Sequence, residues 1–205
     1  MVFTQSASRL VSGRPVYTLL IIGAAVAVYV MPGLPQWLVY ERTHLESGQW
    51  WRLVSGHWVH FSLAHLVYNT LALAIAGYFI ETRLHGRMLF LCLTSAVTTG
   101  LSVYWLAPGL MFYGGLSGIV NTTVAYLCLS AFFIIQSRRR WLFVVLLVLL
   151  LAKLIAEWIT GASLFLHDLG RGVTPVPLAH VAGALTGLLF ATAVHKTARA
   201  EQTGL

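Results

Sequence analysis

The residues of this chain that could do chemistry begin with Ser117, in the stretch Gly114-Gly115-Leu116-Ser117-Gly118-Ile119-Val120-Asn121. The serine stands where an apolar segment of Ile, Val, Ala and Leu begins, running to about Gln136. A serine at the start of a helix has backbone N–H groups close by that lack intrahelical acceptors, and these can hold an oxyanion. Gly115 and Gly118 beside it let another backbone, or a substrate's, approach closely. Gly-Ser-Gly turns are common in ordinary loops, so the motif gains weight only if the chain also supplies a base and a polar pocket.

Candidate partners lie in two other apolar segments. His180 sits in Leu178-Ala179-His180-Val181-Ala182-Gly183-Ala184-Leu185-Thr186-Gly187, with Gly183 and Gly187 at i+3 and i+7. One helical face then carries an imidazole and two glycines. A small-xxx-small face brings helix backbones into contact, and against the start of the Ser117 helix it puts His180 within reach of the serine. An imidazole can take the serine proton, and a serine without such a base is a poor nucleophile. His65 and Asn69 are spaced i, i+4, share one helix face, and can both donate hydrogen bonds. As structural glue they would bond a neighbouring helix instead. A metal site of His57, His60 and His65 has irregular spacing and no carboxylate. No acid occupies a position that completes a triad: Asp168 falls in a loop, and Glu157, four residues after Lys153, reads as that lysine's neutralising partner. The constellation is a serine–histidine dyad with two side-chain donors, and its chemistry is acyl transfer. No cofactor is expected.

The elements that must position these groups are membrane helices. Apolar residues make up 58% of the chain, 9% are charged and the mean hydropathy is +0.80, against a soluble norm nearer half apolar and a quarter charged. Six apolar segments are expected, at residues 16–31, 61–80, 88–106, 116–135, 141–160 and 178–195. The fold class is all-α, a polytopic bundle, with tails at 1–15 and 197–205 around a membrane unit at 16–196. The first segment reads as a retained helix, since no small-x-small cleavage site follows it. The loop 33–60 carries Trp37, Tyr40, Trp50, Trp51 and Trp58, which suits short helices at a bilayer interface. Cys92 and Cys128 lie inside apolar segments and read as small buried or lipid-facing residues. The net charge of +7 is too dispersed for nucleic acid. It sorts by loop: Arg9, Arg14, Arg83, Arg87, Arg138, Arg139, Arg140, Lys196 and Arg199 on one side, Arg42, Arg52 and Arg171 on the other. The positive-inside rule then places both termini in the cytoplasm and the Ser117 end of its helix outside.

Taken together, these motifs resemble the rhomboid intramembrane serine proteases. The resemblance runs from Trp51-Arg52 through His65-xxx-Asn69, Glu81-Thr82-Arg83 and Gly115-Leu116-Ser117-Gly118 to Ala179-His180-Val181-Ala182-Gly183-xxx-Gly187. It implies a six-helix rhomboid-like bundle with Ser117 as nucleophile and His180 as general base. The oxyanion would be held by His65, Asn69 and the Ser117 N–H. Trp51, Arg52, Glu81 and Arg83 would be structural, and the fifth span with the last outward loop would gate substrate entry. Many rhomboids carry an aromatic residue one turn after the serine; Asn121 stands there, where it could bond His180 but not stack on it. The short chain, the run from Gly48 to His57 and the segment 153–161 are most similar to the rhombosortase branch. That branch implies a bacterial inner-membrane enzyme. Its substrates would be single-span proteins with a C-terminal Gly-Gly, apolar-helix, basic anchor (the GlyGly-CTERM type). A non-catalytic rhomboid-like protein that binds membrane helices is the alternative, and a histidine-ligated haem or metal protein is a third.

Overall fold

The computed structural model describes residues 13–84, 87–163 and 175–203. Arg9, Asp168, Arg171 and most of the last outward loop lie outside the described residues. The chain forms α1 (Val16–Val30), α2 (Leu34–Leu38), β1 (Tyr40–Glu41), α3 (Arg42–Glu46), α4 (Arg52–Ser55), a short turn of 3-10 helix at Gly56–Trp58, and α5 (Leu63–Arg83). It continues with α6 (Met88–Leu106), β2 (Phe112–Tyr113), α7 (Ser117–Ile134), α8 (Arg140–Thr160) and α9 (Pro177–Thr203).

Helices α5 to α9 are long and apolar enough to cross a bilayer. The first apolar segment is shorter than a span requires. At 15 residues α1 is about 22 Å long, against a hydrocarbon core of about 30 Å. The six expected spans therefore correspond to five helices of spanning length and one short apolar helix. Helix α9 also continues past the boundary expected at residue 196, to Thr203.

Helix α1 is fastened by Glu81 of α5. The carboxylate accepts from the Tyr17 N–H at 3.1 Å, the Thr18 N–H at 2.7 Å and the Thr18 hydroxyl at 2.5 Å. It thereby satisfies N–H groups that the first turn of α1 leaves over, and it sets a negative charge at the positive helix end. Arg83, which the resemblance paired with it as structural, is exposed.

The 33–60 segment forms the expected short helices, held by two buried arginines. Arg52 donates to the carbonyls of Gln36 and Val39 and to Gln49 Oε1 at 2.8–2.9 Å. Arg42 donates to the carbonyls of Tyr104, Ala107 and Leu110, so it closes the C-terminus of α6. Trp51 is half exposed and donates its indole N–H to the Trp37 carbonyl. Strands β1 and β2 pair antiparallel, Tyr40 with Tyr113 and Glu41 with Phe112, and so tie this segment to the approach to Ser117.

Helix α7 is the axis of the bundle: 56% of its spanning stretch is buried, the largest share of the five. Its main partner is α9, across a seam of small residues. A Cβ on Gly183 would strike the Gly118 carbonyl, and one on Gly187 the Thr122 carbonyl. Several hydroxyls along this seam are paired. Thr122 Oγ1 donates to the Gly183 carbonyl at 2.7 Å and meets Ser95 Oγ at 2.6 Å; Thr98 and Thr186 share a hydroxyl contact at 2.8 Å. The outward faces carry Leu71, Ile75, Phe90, Leu146, Leu149 and Ile155, all exposed, as lipid contact requires.

Candidate active site

Ser117 is the first residue of α7, with Leu116 as its N-cap. Its N–H belongs to the set that an α-helix leaves without an acceptor. Two unexpected histidines build the approach. His60 Nδ1 donates to the Trp58 carbonyl at 3.1 Å, which leaves Nε2 to accept the Leu116 N–H at 3.3 Å. His57 Nε2 donates to the Ala96 carbonyl at 3.0 Å, and its Nδ1 accepts the Tyr113 hydroxyl at 3.3 Å. Each ring serves as one donor and one acceptor, which a neutral imidazole alone can do. Burial enforces that state, pushing His57 down to about 4 and His60 down to about 3. The two therefore support the backbone before the serine rather than form a metal site with His65. Tyr113 stands edge-on to both Tyr40 and His57, and its phenol lies beside the Ser117 hydroxyl. Burial pushes that phenol up.

Gly115 is held at φ +114°, a conformation that disfavours any side chain. A Cβ there would sit 2.5 Å from His65 Cε1 and 3.7 Å from Asn69 Nδ2. The glycine therefore lets the turn before Ser117 lie directly against the pair from α5. His65 is seated by Ser62, which caps α5 by accepting the His65 N–H at 3.1 Å. His65 Nδ1 and Asn69 Nδ2 are buried and make no hydrogen bond within the protein. A buried donor without an acceptor is costly. Asn69 Nδ2 is such a donor, and with the His65 ring against the turn before Ser117 it marks a place suited to a group that arrives from outside.

That place is a cavity of about 690 Å³ lined by Ser117, His65, Asn69, Asn121, Glu157 and His180, with apolar walls from Phe61, Met111, Phe112, Val120, Val124 and Leu150. The structure brings Ser117 and His180 to one cavity through the Gly118–Gly183 contact, without a direct hydrogen bond between them. Asn121 lines the same space, but its Nδ2 donates to the Ser117 carbonyl at 2.7 Å, so it braces its own helix instead of binding His180. The partner of His180 is Glu157: Nδ1 lies 2.8 Å from Oε2. This corrects the assignment of Glu157 to Lys153 alone. The lysine does donate to the same oxygen at 2.8 Å, but the carboxylate reaches α9 as well. The signal available in the sequence was a carboxylate inside a span, which is expensive without a task.

Residues 47–197 match the rhomboid domain. The chain is similar to the rhomboid protease GlpG of Serratia proteamaculans, 29% identical over 181 residues, covering 85% of this chain and 61% of that protein. It is 32% identical over 120 residues to GlpG of Yersinia enterocolitica, covering 55% and 42%. With the rhomboid protease GluP of Bacillus subtilis it shares 28% over 109 residues, covering 47% and 21%. The chain thus spans from about a fifth to about three fifths of the length of these relatives. The rhomboid domain match extends over most of the sequence and contains Ser117, His180 and both α5 donors, and the chain belongs to the rhomboid family.

Proposed function

We propose that this protein is an intramembrane serine endopeptidase in which Ser117 is the nucleophile and His180 the general base. The observation that carries the reading is one cavity holding a helix-start serine, His180, the His65 ring and the buried Asn69 amide without an acceptor. Ser117 Oγ attacks a peptide carbonyl as His180 Nε2 takes its proton. The Ser117 N–H, His65 and Asn69 hold the oxyanion, and His180 returns the proton to the departing amine. Water then hydrolyses the acyl-enzyme by the same steps. A helical peptide bond is shielded by its own turn, so a scissile segment must unwind, which favours Gly and other weak helix formers there.

The finer reading is the rhombosortase branch. Its substrates would be single-span proteins with a Gly-Gly, apolar-helix, basic C-terminal anchor, embedded in the same bilayer. The protein would be a multi-pass protein of a bacterial inner membrane with six segments, and the loop charges support both termini cytoplasmic and the cavity opening to the periplasmic side. The test is cleavage of a reporter bearing that anchor, in membranes, by wild type and Ser117→Ala. Cleavage by wild type alone is expected. Cleavage of a generic rhomboid substrate but not the anchor reporter would discard the branch, and turnover retained by Ser117→Ala would discard the mechanism.

A further inference from the structure

Glu157 occupies a position that a plain ion pair with Lys153 does not require. Along α8, Leu150, Leu154 and Glu157 are the buried side chains, a single stripe at i, i+4 and i+7, with leucines and Trp158 turned outward around it. The carboxylate is 1% exposed and closes the C-terminal end of that stripe. One oxygen, Oε2, serves both neighbours: Lys153 Nζ at 2.8 Å and His180 Nδ1 at 2.8 Å. A Lys–Glu pair one turn apart on the same helix is complete without a third member. The rotamer found here instead extends the carboxylate across to α9.

The geometry points to Glu157 as a positioning residue for His180, so that the site works as a Ser117–His180–Glu157 triad whose carboxylate is anchored by Lys153. This rests on the hydrolase reading above. An Nδ1–H held by a carboxylate fixes the tautomer that leaves the Nε2 lone pair free for the serine proton. In the attack the Ser117 Oγ–carbon bond forms and its proton passes to Nε2, making an imidazolium beside the carboxylate. When the C–N bond breaks, that proton leaves with the amine. Glu157 exchanges no proton in the cycle. The Lys153 ammonium offsets the cost of keeping a carboxylate ionised next to lipid. Glu157 also supplies from α8 the orienting contact that no aromatic at position 121 provides. The other titratable side chains nearby are His65 and Tyr68 of α5.

The test is a cycle of Glu157→Gln, Lys153→Met and the double variant in the purified full chain, with Glu157→Asp and Ser117→Ala beside them. Kinetics on a cleavable reporter and thermal melting are read together. Glu157→Gln should lower kcat by about 10²- to 10⁴-fold with KM little changed, since it removes orientation rather than binding. Glu157→Asp should recover part of the loss. The double variant should stay as slow as Glu157→Gln while regaining its melting temperature. Restored turnover in the double variant would overturn the proposal, because only the unpaired lysine would then have mattered. So would wild-type kcat in Glu157→Gln. If wild type shows no Ser117-dependent cleavage, the hydrolase reading fails and the triad with it.

Discussion

The seam between α7 and α9 and the stripe by which α8 joins the bundle meet at His180, yet they are packed in opposite ways. The seam is built from Gly118, Gly183 and Gly187, with backbone against backbone and paired hydroxyls between. Helix α8 has only 17% of its spanning stretch buried, against 56% for α7, and its fully buried side chains are two leucines and a carboxylate. The serine and the base are thus set by contacts that leave no slack. The group that orients the base hangs on the most weakly packed helix of the bundle. Position is secured by sterics where two reacting atoms must meet. A single strong polar contact suffices where one ring must be turned.

Adding a methyl to the seam should have the largest effect. Gly183→Ala drives a Cβ into the Gly118 carbonyl, which is backbone and cannot swing aside. Destabilisation of about 3 kcal/mol with loss of turnover is expected, read by thermal melting and reporter cleavage. Gly23→Ala on α1, where a Cβ meets open space, should be neutral or gain up to about 1 kcal/mol. Comparable losses in both would mean that the seam has no special tightness.

Gly115→Ala sharpens the comparison within the site. The methyl would meet the His65 ring, and φ +114° would strain the backbone by about 1–2 kcal/mol. Turnover should fall about 10²- to 10³-fold, more than the modest drop in melting temperature implies, because the displaced groups are the proposed oxyanion donors.

On α8 the contrast is between neighbours. Leu154→Ala removes a buried side chain and should cost about 1–2 kcal/mol, below the usual range for a soluble core. Lipid is as apolar as the space vacated, so only packing is lost. Ile155→Ala, on the exposed face, should stay within about 0.5 kcal/mol of wild type.

The last effect concerns the loop behind Ser117, and it appears only as the pH is lowered. His57 and His60 stay neutral in the fold down to about 4 and about 3, against 6.5 when free, so below pH 6.5 the unfolded chain takes up protons that the folded one refuses. Stability should be full above pH 6.5 and decline as pH falls towards 3, by at most about 1.4 kcal/mol per pH unit for each histidine. His60→Gln, which keeps a donor and an acceptor, should make that acid slope shallower in melts taken across pH.

What could be read without the fold follows from how local each signal is. The long apolar runs, Ser117 between its glycines, and Gly183 and Gly187 at helical spacing from His180 are all visible within one segment. The bracing of Leu116 by His60 spans 56 residues, and the Glu157–His180 contact spans 23 across two helices. Neither leaves a periodic trace. Lys153 and Glu157, by contrast, advertise themselves at i, i+4, and that local pairing hid the longer one. Asn121 misleads for a related reason: being one turn after Ser117 puts it near His180, but it also puts its amide within reach of the Ser117 carbonyl, which is closer. The apolar segment expected at 16–31 forms a helix only one residue shorter, Val16–Val30, and what the apolar run does not reveal is that this length falls short of a bilayer's core.

The most direct measurement is to treat the purified protein with a fluorophosphonate probe and identify the modified residue by mass spectrometry. The account predicts one adduct, on Ser117, abolished by His180→Ala in protein that still melts cooperatively. A folded wild-type protein that stays unlabelled, or that carries its label on another residue, would contradict it.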